Sequence, residues 1–230
     1  MPHVVLLCKE NKPNMKEIVQ YLKEKFISVD IYIGKIGDKF PLYKDKNYDI
    51  ILSYLSPWIV PEHYINSAKI ALNFHPGPPE YPGIGCFNFA LYDGIDTYGV
   101  TCHHMKAKVD SGAIVDVKRF SVIKDETVLS LSLKSYSYMQ SLFFEVVDIL
   151  SSGTRLHESP EKWSRSPYTR KDLEQLCIIK KDQPIEEILR RVKATTYPGM
   201  PGSYFIHEGE GYTVSRTPER DQCRDLYENS

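Results

Sequence analysis

The feature that most constrains this chain is a series of short apolar runs alternating with stretches of helical periodicity. Val4 to Cys8 is wholly apolar. Met15, Ile18, Val19, Leu22 and Phe26 then recur at spacings of three and four, and a short strand follows at Val29 to Ile33, so the chain opens β-α-β. The cycle repeats with Ile50 to Leu55, introduced by the turn residues Asn47-Tyr48-Asp49, then a helix from Pro61 to Ser67 and a strand from Ile70 to Phe74. Strands this apolar offer no face to water. They must be covered on both sides, which calls for a mostly parallel, Rossmann-like α/β sheet between helices.

After a turn-rich segment from His75 to Gly85, Cys86 to Asp93 reads as a helix ending near Gly94. Tyr98 to Met105 and Ala113 to Phe120 read as strands that pair into an antiparallel edge, making the sheet mixed. A long helix over Thr127 to Leu150 is expected to turn Leu129, Leu133, Tyr136, Gln140, Phe143, Val147 and Leu150 to one side, with Gly153 as its stop. Beyond Gly153, Pro160, Pro167 and the run Glu161-Lys-Trp-Ser-Arg-Ser predict a linker. A helix from Pro184 to Ala194 and two strands, Ser203 to His207 and Gly211 to Ser215, predict a small C-terminal β-hairpin appendage. The charged tail after Pro218 is expected to be mobile.

Composition narrows the function. Hydrophobic residues make up 42% of the 230 and charged residues 26%, so a real core is available and disorder is excluded. The formal net charge of -1 gives no general attraction to nucleic acid or to an anionic membrane, so neither is expected as a partner. An anionic ligand must be held locally. Cys8, Cys86, Cys102, Cys177 and Cys223 are odd in number and contain no CxxC pair, which suits free thiols and a cytoplasmic location. The N-terminus reads as a strand rather than a signal peptide, and no run is long and apolar enough to predict a membrane helix.

The chemistry concentrates where the strand Ile70 to Phe74 meets its turn. Residues two apart on a strand share a face, so Asn73 and His75 address one point at the carboxyl end of the sheet, where open α/β sheets bind ligands. The prolines and glycines of Pro76 to Gly85 fix the loop that follows. Asn supplies an uncharged amide donor and His a group that titrates near neutrality, a pair suited to an acyl-transfer oxyanion and proton movement. A capped turn would serve equally well for these two residues alone. Asp110, in Lys106-Ala-Lys-Val-Asp-Ser-Gly112, adds a carboxylate that would orient an imidazole and favour its protonated form. By itself, Asp-Ser-Gly is an ordinary turn.

Together and in this order, Asn73-Phe-His-Pro76 and Asp110-Ser-Gly-Ala-Ile114 resemble the formyltransferases that use N10-formyltetrahydrofolate, across roughly residues 1 to 150. The resemblance implies the formyltransferase fold and a catalytic trio of Asn73, His75 and Asp110. It also implies that N10-formyltetrahydrofolate is co-substrate and meets Tyr54, Leu55, Val109 and Gly112, chiefly through their backbone. The organisation it implies is a catalytic domain over 1–153, a linker packing on the core over 154–183, and a C-terminal helix, hairpin and tail over 184–230.

The acceptor amine is less constrained. Methionyl-tRNA formyltransferases carry a larger basic C-terminal domain, whereas this chain has balanced charge. Glycinamide ribonucleotide formyltransferases hold a phosphate with a Gly/Ser-rich loop where this chain has Lys9-Glu-Asn-Lys-Pro13. The stretches Asn73 to Gly85, Phe87-Asn-Phe-Ala90, Tyr98 to Met105 and Thr195 to Gly202 look most like the sugar N-formyltransferases. That resemblance implies a nucleotide-linked, dTDP-type amino deoxysugar as substrate, a role in O-antigen-type surface polysaccharide, and a homodimer paired through the hairpin. Gly77, Pro78, Tyr81 and Gly83 are then the expected sugar-binding residues, and Trp163, Arg165, Tyr168 and Arg170 further candidates that equally suit loop anchoring and solvent. No metal is expected, because His103 and His104 are adjacent on a strand and point to opposite faces. A non-catalytic binding module and a hydrolase giving the formyl group to water are the remaining alternatives.

Overall fold

The computed structural model describes residues 2–41 and 46–214. The predicted tail after Pro218, the last predicted hairpin residue Ser215, and Cys223 lie outside the described residues. Six strands, β1 (His3–Lys9), β2 (Ser28–Gly34), β3 (Ile50–Tyr54), β4 (Ile70–His75), β5 (Thr97–His104) and β6 (Ile114–Ser121), form one sheet in the order β2-β1-β3-β4-β5-β6. The first four run parallel, and β5 and β6 join antiparallel, so the sheet is mixed.

The alternation along β1 shows why its sequence is apolar throughout. Val4, Leu6 and Cys8 enter the larger core with α1 (Met15–Lys25) and α4 (Val128–Ser151), while Val5 and Leu7 enter a second cluster with Tyr64 of α2 (Glu62–Ser67). Both faces are covered, and each strand residue has a core to enter.

The helix α3 (Cys86–Asp93) follows the proline-rich loop and ends at Gly94, whose φ of 70° suits a residue without Cβ. The 24-residue α4 starts at a capping box between Thr127 and Ser130. Of its predicted side, Tyr136, Phe143, Val147 and Leu150 are buried and Leu133 is 47% exposed, while Leu131, Met139, Leu142 and Val146 are buried beside them. The buried stripe is thus broader than the seven-residue spacing from Leu129 predicts, and Leu133 lies outside it.

The segment predicted as linker contains a helix, α5 (Arg170–Cys177), opened by a second capping box in which Thr169 and Asp172 satisfy each other's backbone amides. Helix α6 (Ile185–Thr195) packs beside α3, with Asn88 donating to the Ala194 carbonyl at 2.8 Å and Tyr92 to Glu187 at 2.8 Å. The hairpin β7 (Tyr204–His207) and β8 (Glu210–Thr213) is tied to the preceding segments through Ile179 N–H to the Tyr204 carbonyl, at 2.7 Å, and through Thr195 to Ser203. Among the described residues, no helix is long and apolar enough to cross a membrane.

Candidate active site

The carboxyl end of β4 carries Asn73 and His75 on the face opposite Leu72 and Phe74, which are committed to the larger core. Antiparallel pairing sets His103 of β5 directly across from Asn73. The chain leaves β5, crosses that face and returns through a turn at Asp110, which sits in the left-handed region with φ 43°, a conformation that aspartate tolerates better than most side chains. Gly112 completes the turn against β5. A Cβ there would lie 1.7 Å from the His104 carbonyl oxygen, so only glycine fits.

This topology brings the three predicted residues together and adds a fourth. Asp110 Oδ2 lies 3.2 Å from His75 Nδ1 and accepts the Gly83 backbone N–H at 2.8 Å. Its other oxygen lies 3.2 Å from His103 Nε2 and 3.5 Å from the Asn73 amide nitrogen. His75 Nε2 is 2.9 Å from the Tyr81 carbonyl, and His103 Nδ1 is 2.8 Å from the His104 carbonyl. Both nitrogens of His75 therefore face oxygen acceptors, an arrangement satisfied when both carry protons. His75, His103 and Asp110 are buried, and Asn73 is half-buried.

Burial alone would push the Asp110 carboxyl up. The charge of His75, the hydrogen bond and charge of His103, and the Gly83 amide outweigh it and hold the group below the ordinary carboxylate range. Asp110 is thus an anion at any working pH. Nearby thiols are unsuited to nucleophilic roles, since burial pushes Cys86 up to about 12 and holds Cys102 well above its ordinary value.

Asn73, His75, His103 and Asp110 open onto a cleft of about 640 Å³. Its apolar wall includes Leu55, Pro57, Trp58, Ile59 and Val109, and its rim carries Lys9, Lys12, Lys106, Lys108 and Arg170. Asp110 is the sole carboxylate among the described lining residues. A chain of net charge -1 has therefore gathered five cations on one opening. Leu55 has a φ of 52°, strain of the order of 1 kcal/mol for a branched residue, at the edge of the cleft.

The other expected contacts divide. Leu55 and Val109 line the cleft, whereas the Tyr54 ring is buried in the core and Gly112 serves the turn. Gly83 lines it too. Tyr81 does not present its ring there: the side chain is buried and its hydroxyl donates to Asp93 at 2.9 Å, while its carbonyl meets His75. Pro78 is buried, and Gly77 leaves room for the imidazole, since a Cβ would lie 2.7 Å from His75 Nε2. Arg170 reaches the rim, whereas the Arg165 guanidinium covers the Tyr168 ring at 3.4 Å. His103 was missed as a site residue because sequence position tested it only as a metal ligand beside His104. The two indeed part company, His103 toward Asp110 and His104 toward a separate hollow beside Leu150.

Residues 43–147, which contain Asn73, His75, His103 and Asp110, match the formyl transferase family. The matched segment is the one that carries the site. Among solved structures it is similar to a sugar N-formyltransferase from Shewanella sp., with 20% identity over 94% of this chain and 98% of that one and a TM-score of 0.75. A 4-N formyltransferase from Francisella tularensis matches at 22% identity over 94% of this chain and 98% of that one, with a TM-score of 0.72. An N-formyltransferase from Helicobacter canadensis, in complex with folinic acid and dTDP-3-aminofucose, matches at 19% identity over 84% and 80% of the two chains, with a TM-score of 0.66. At these identities the likeness establishes the formyltransferase fold.

Proposed function

We propose that this protein is an N-formyltransferase that moves the formyl group of N10-formyltetrahydrofolate to the amino group of a nucleotide-linked deoxysugar, a dTDP-amino sugar, in O-antigen-type surface polysaccharide synthesis. The observation that carries the reading is the convergence of Asn73, His75 and Asp110 at the mouth of one cleft. The Helicobacter protein, crystallised with a folate and a dTDP-amino sugar, supports both ligand classes.

The residues present fit those ligands. The apolar wall around Leu55, Trp58, Ile59 and Val109 suits a flat heterocycle, and the lysines and Arg170 suit the carboxylates of a folate tail and a nucleotide diphosphate. When an amine adds to a formyl carbon, negative charge develops on the formyl oxygen. In this reading the Asn73 amide donates to that oxygen. In the same reading His75, oriented by Asp110 at Nδ1, exchanges the proton that the reaction moves through Nε2, which releases the Tyr81 carbonyl to do so. Asp110 remains ionised and fixes both imidazoles.

Phe205 and Tyr212, stacked at 5.3 Å, and the exposed Ile206 give the hairpin an apolar surface, which supports pairing of two copies there. Buried, unpaired thiols at Cys8, Cys86 and Cys102 support a cytoplasmic setting. In a formyl-transfer assay, Asn73→Ala, His75→Ala and Asp110→Ala are each expected to lose about a hundredfold or more in turnover. Near-normal rates in all three folded variants would remove the site.

A further inference from the structure

We infer that the strap between α4 and α5 belongs to the catalytic apparatus, with Trp163 as a positioning residue that, from outside the cleft, clamps the His75–Asp110–His103 cluster. The inference rests on the formyl-transfer reading of that cluster.

Three observations converge on Trp163. Its indole N–H donates to the Gly112 carbonyl at 2.8 Å, two residues beyond the left-handed Asp110 in a turn that already has no slack against β5. Its ring stands edge-on to both imidazoles that flank Asp110, with centroids 5.0 Å from His103 and 5.9 Å from His75, within the range of favourable aromatic pairs. And it belongs to neither apolar cluster, whereas Leu156, Tyr168 and Leu173 from the same stretch of chain pack on the main core. A tryptophan that merely anchored a linker would share their surroundings. Its own are two imidazoles and the backbone of the Asp110 turn.

Trp163 is held there by a strap bonded along its length. Ser159 N–H donates to Ile114, Ser164 N–H to Pro79 and Tyr168 N–H to Pro82, while Ile84 N–H returns a bond to Tyr168. The Tyr168 ring lies on Phe89 at 3.6 Å, with Arg165 over its other face. The loop so gripped is the one that supplies the Tyr81 carbonyl to His75 and the Gly83 N–H to Asp110. One segment thereby braces both the loop and the turn. Trp163 is absent from the described lining of the cleft, so it acts through the cluster rather than on a ligand.

The test compares Trp163→Phe, which keeps an aromatic edge and loses the N–H, with Trp163→Leu, which loses both. Leu156→Ala removes core packing upstream of the strap's bonds to the loop, without touching the cluster, and serves as control. Each is checked for folding by circular dichroism. Trp163→Leu is expected to lower kcat by about thirtyfold and Trp163→Phe by about fivefold, with KM for formyl donor and amine within about twofold, as displaced catalytic geometry predicts. Leu156→Ala should lower thermal stability and leave kcat near wild type. The inference is overturned if folded Trp163→Phe and Trp163→Leu keep wild-type kcat, if they raise KM alone, or if Leu156→Ala loses kcat equally. His75→Ala in the same assay separates the two levels. Its inactivity beside fully active Trp163 variants would refute the clamp alone, and full activity of His75→Ala would refute the formyl-transfer site itself.

Discussion

Two segments grip the same cluster from different distances along the chain. The loop 76–85 directly follows the strand that carries His75, and its prolines and glycines announce a fixed turn. The strap 159–168 arrives after a 24-residue helix, is polar, and reads as a connection. Yet the strap makes as many backbone bonds to the loop as a short strand would, and one of its side chains meets both imidazoles. Position beside His75 in sequence is therefore a poor measure of contact with it. Backbone pairing, which leaves no residue-type signature, holds the strap against the loop.

Substitutions on the two segments can break or sharpen that contrast. The largest expected effect is on the loop side, at Gly77→Ala. Its backbone has an ordinary φ, so the chain tolerates alanine, but the new methyl would lie 2.7 Å from His75 Nε2 and 3.0 Å from the Tyr81 carbonyl. We expect the imidazole to be displaced, lowering kcat by about tenfold to a hundredfold with little change in melting temperature. An unaltered kcat would mean that the loop does not set the ring.

A smaller effect lies in the anion that joins loop, strap and strand. The Asp110 carboxyl is held below its ordinary range in the folded protein, so its contribution to stability is complete above the unfolded value near 3.9 and lost as pH falls toward the folded one. Asp110→Asn should therefore be less stable than wild type by on the order of 2 kcal/mol at pH 7. The gap should narrow below about pH 4. Denaturant titrations across pH measure it, and a gap that widened on acidification would reverse the assignment of charge.

The smallest effect concerns a residue expected at the folate pocket. The Tyr54 hydroxyl is buried and has no hydrogen-bond partner among the described residues, and the ring packs edge-on to Phe143 at 5.4 Å. Removing an unsatisfied buried hydroxyl relieves a desolvation cost, so Tyr54→Phe should be neutral or more stable by up to about 1 kcal/mol, with kcat unchanged. A large fall in activity would place that hydroxyl in the reaction.

Much of this fold was legible in the sequence because burial on both faces forces a continuous apolar strand and helical periodicity survives the intervening turns. The strands from Val4 to Phe74 were found to within a residue or two, and Cys86–Asp93 was found outright. The site was partly legible for the same reason: period two places Asn73 and His75 together. Helix α5 was missed although Thr169-Arg-Lys-Asp172 carries the spacing of a capping box, since Pro167 and the surrounding charges read as a break. His103 depends on the register between β4 and β5, which includes an irregularity at Cys102 and His103 on the β6 side and which no single strand encodes. Tyr81 looked like a pocket aromatic because loop residues commonly face outward; here Asp93 draws its hydroxyl inward.

The measurement that tests the central claim most directly is the release of tetrahydrofolate from N10-formyltetrahydrofolate with a panel of acceptors: dTDP- and UDP-amino sugars, glycinamide ribonucleotide, methionyl-tRNA and water alone. The account predicts saturable release that requires an amino sugar, favours a dTDP sugar and yields its N-formyl product. Release without any amine, turnover only with one of the other acceptors, or binding of the sugars without turnover would contradict it.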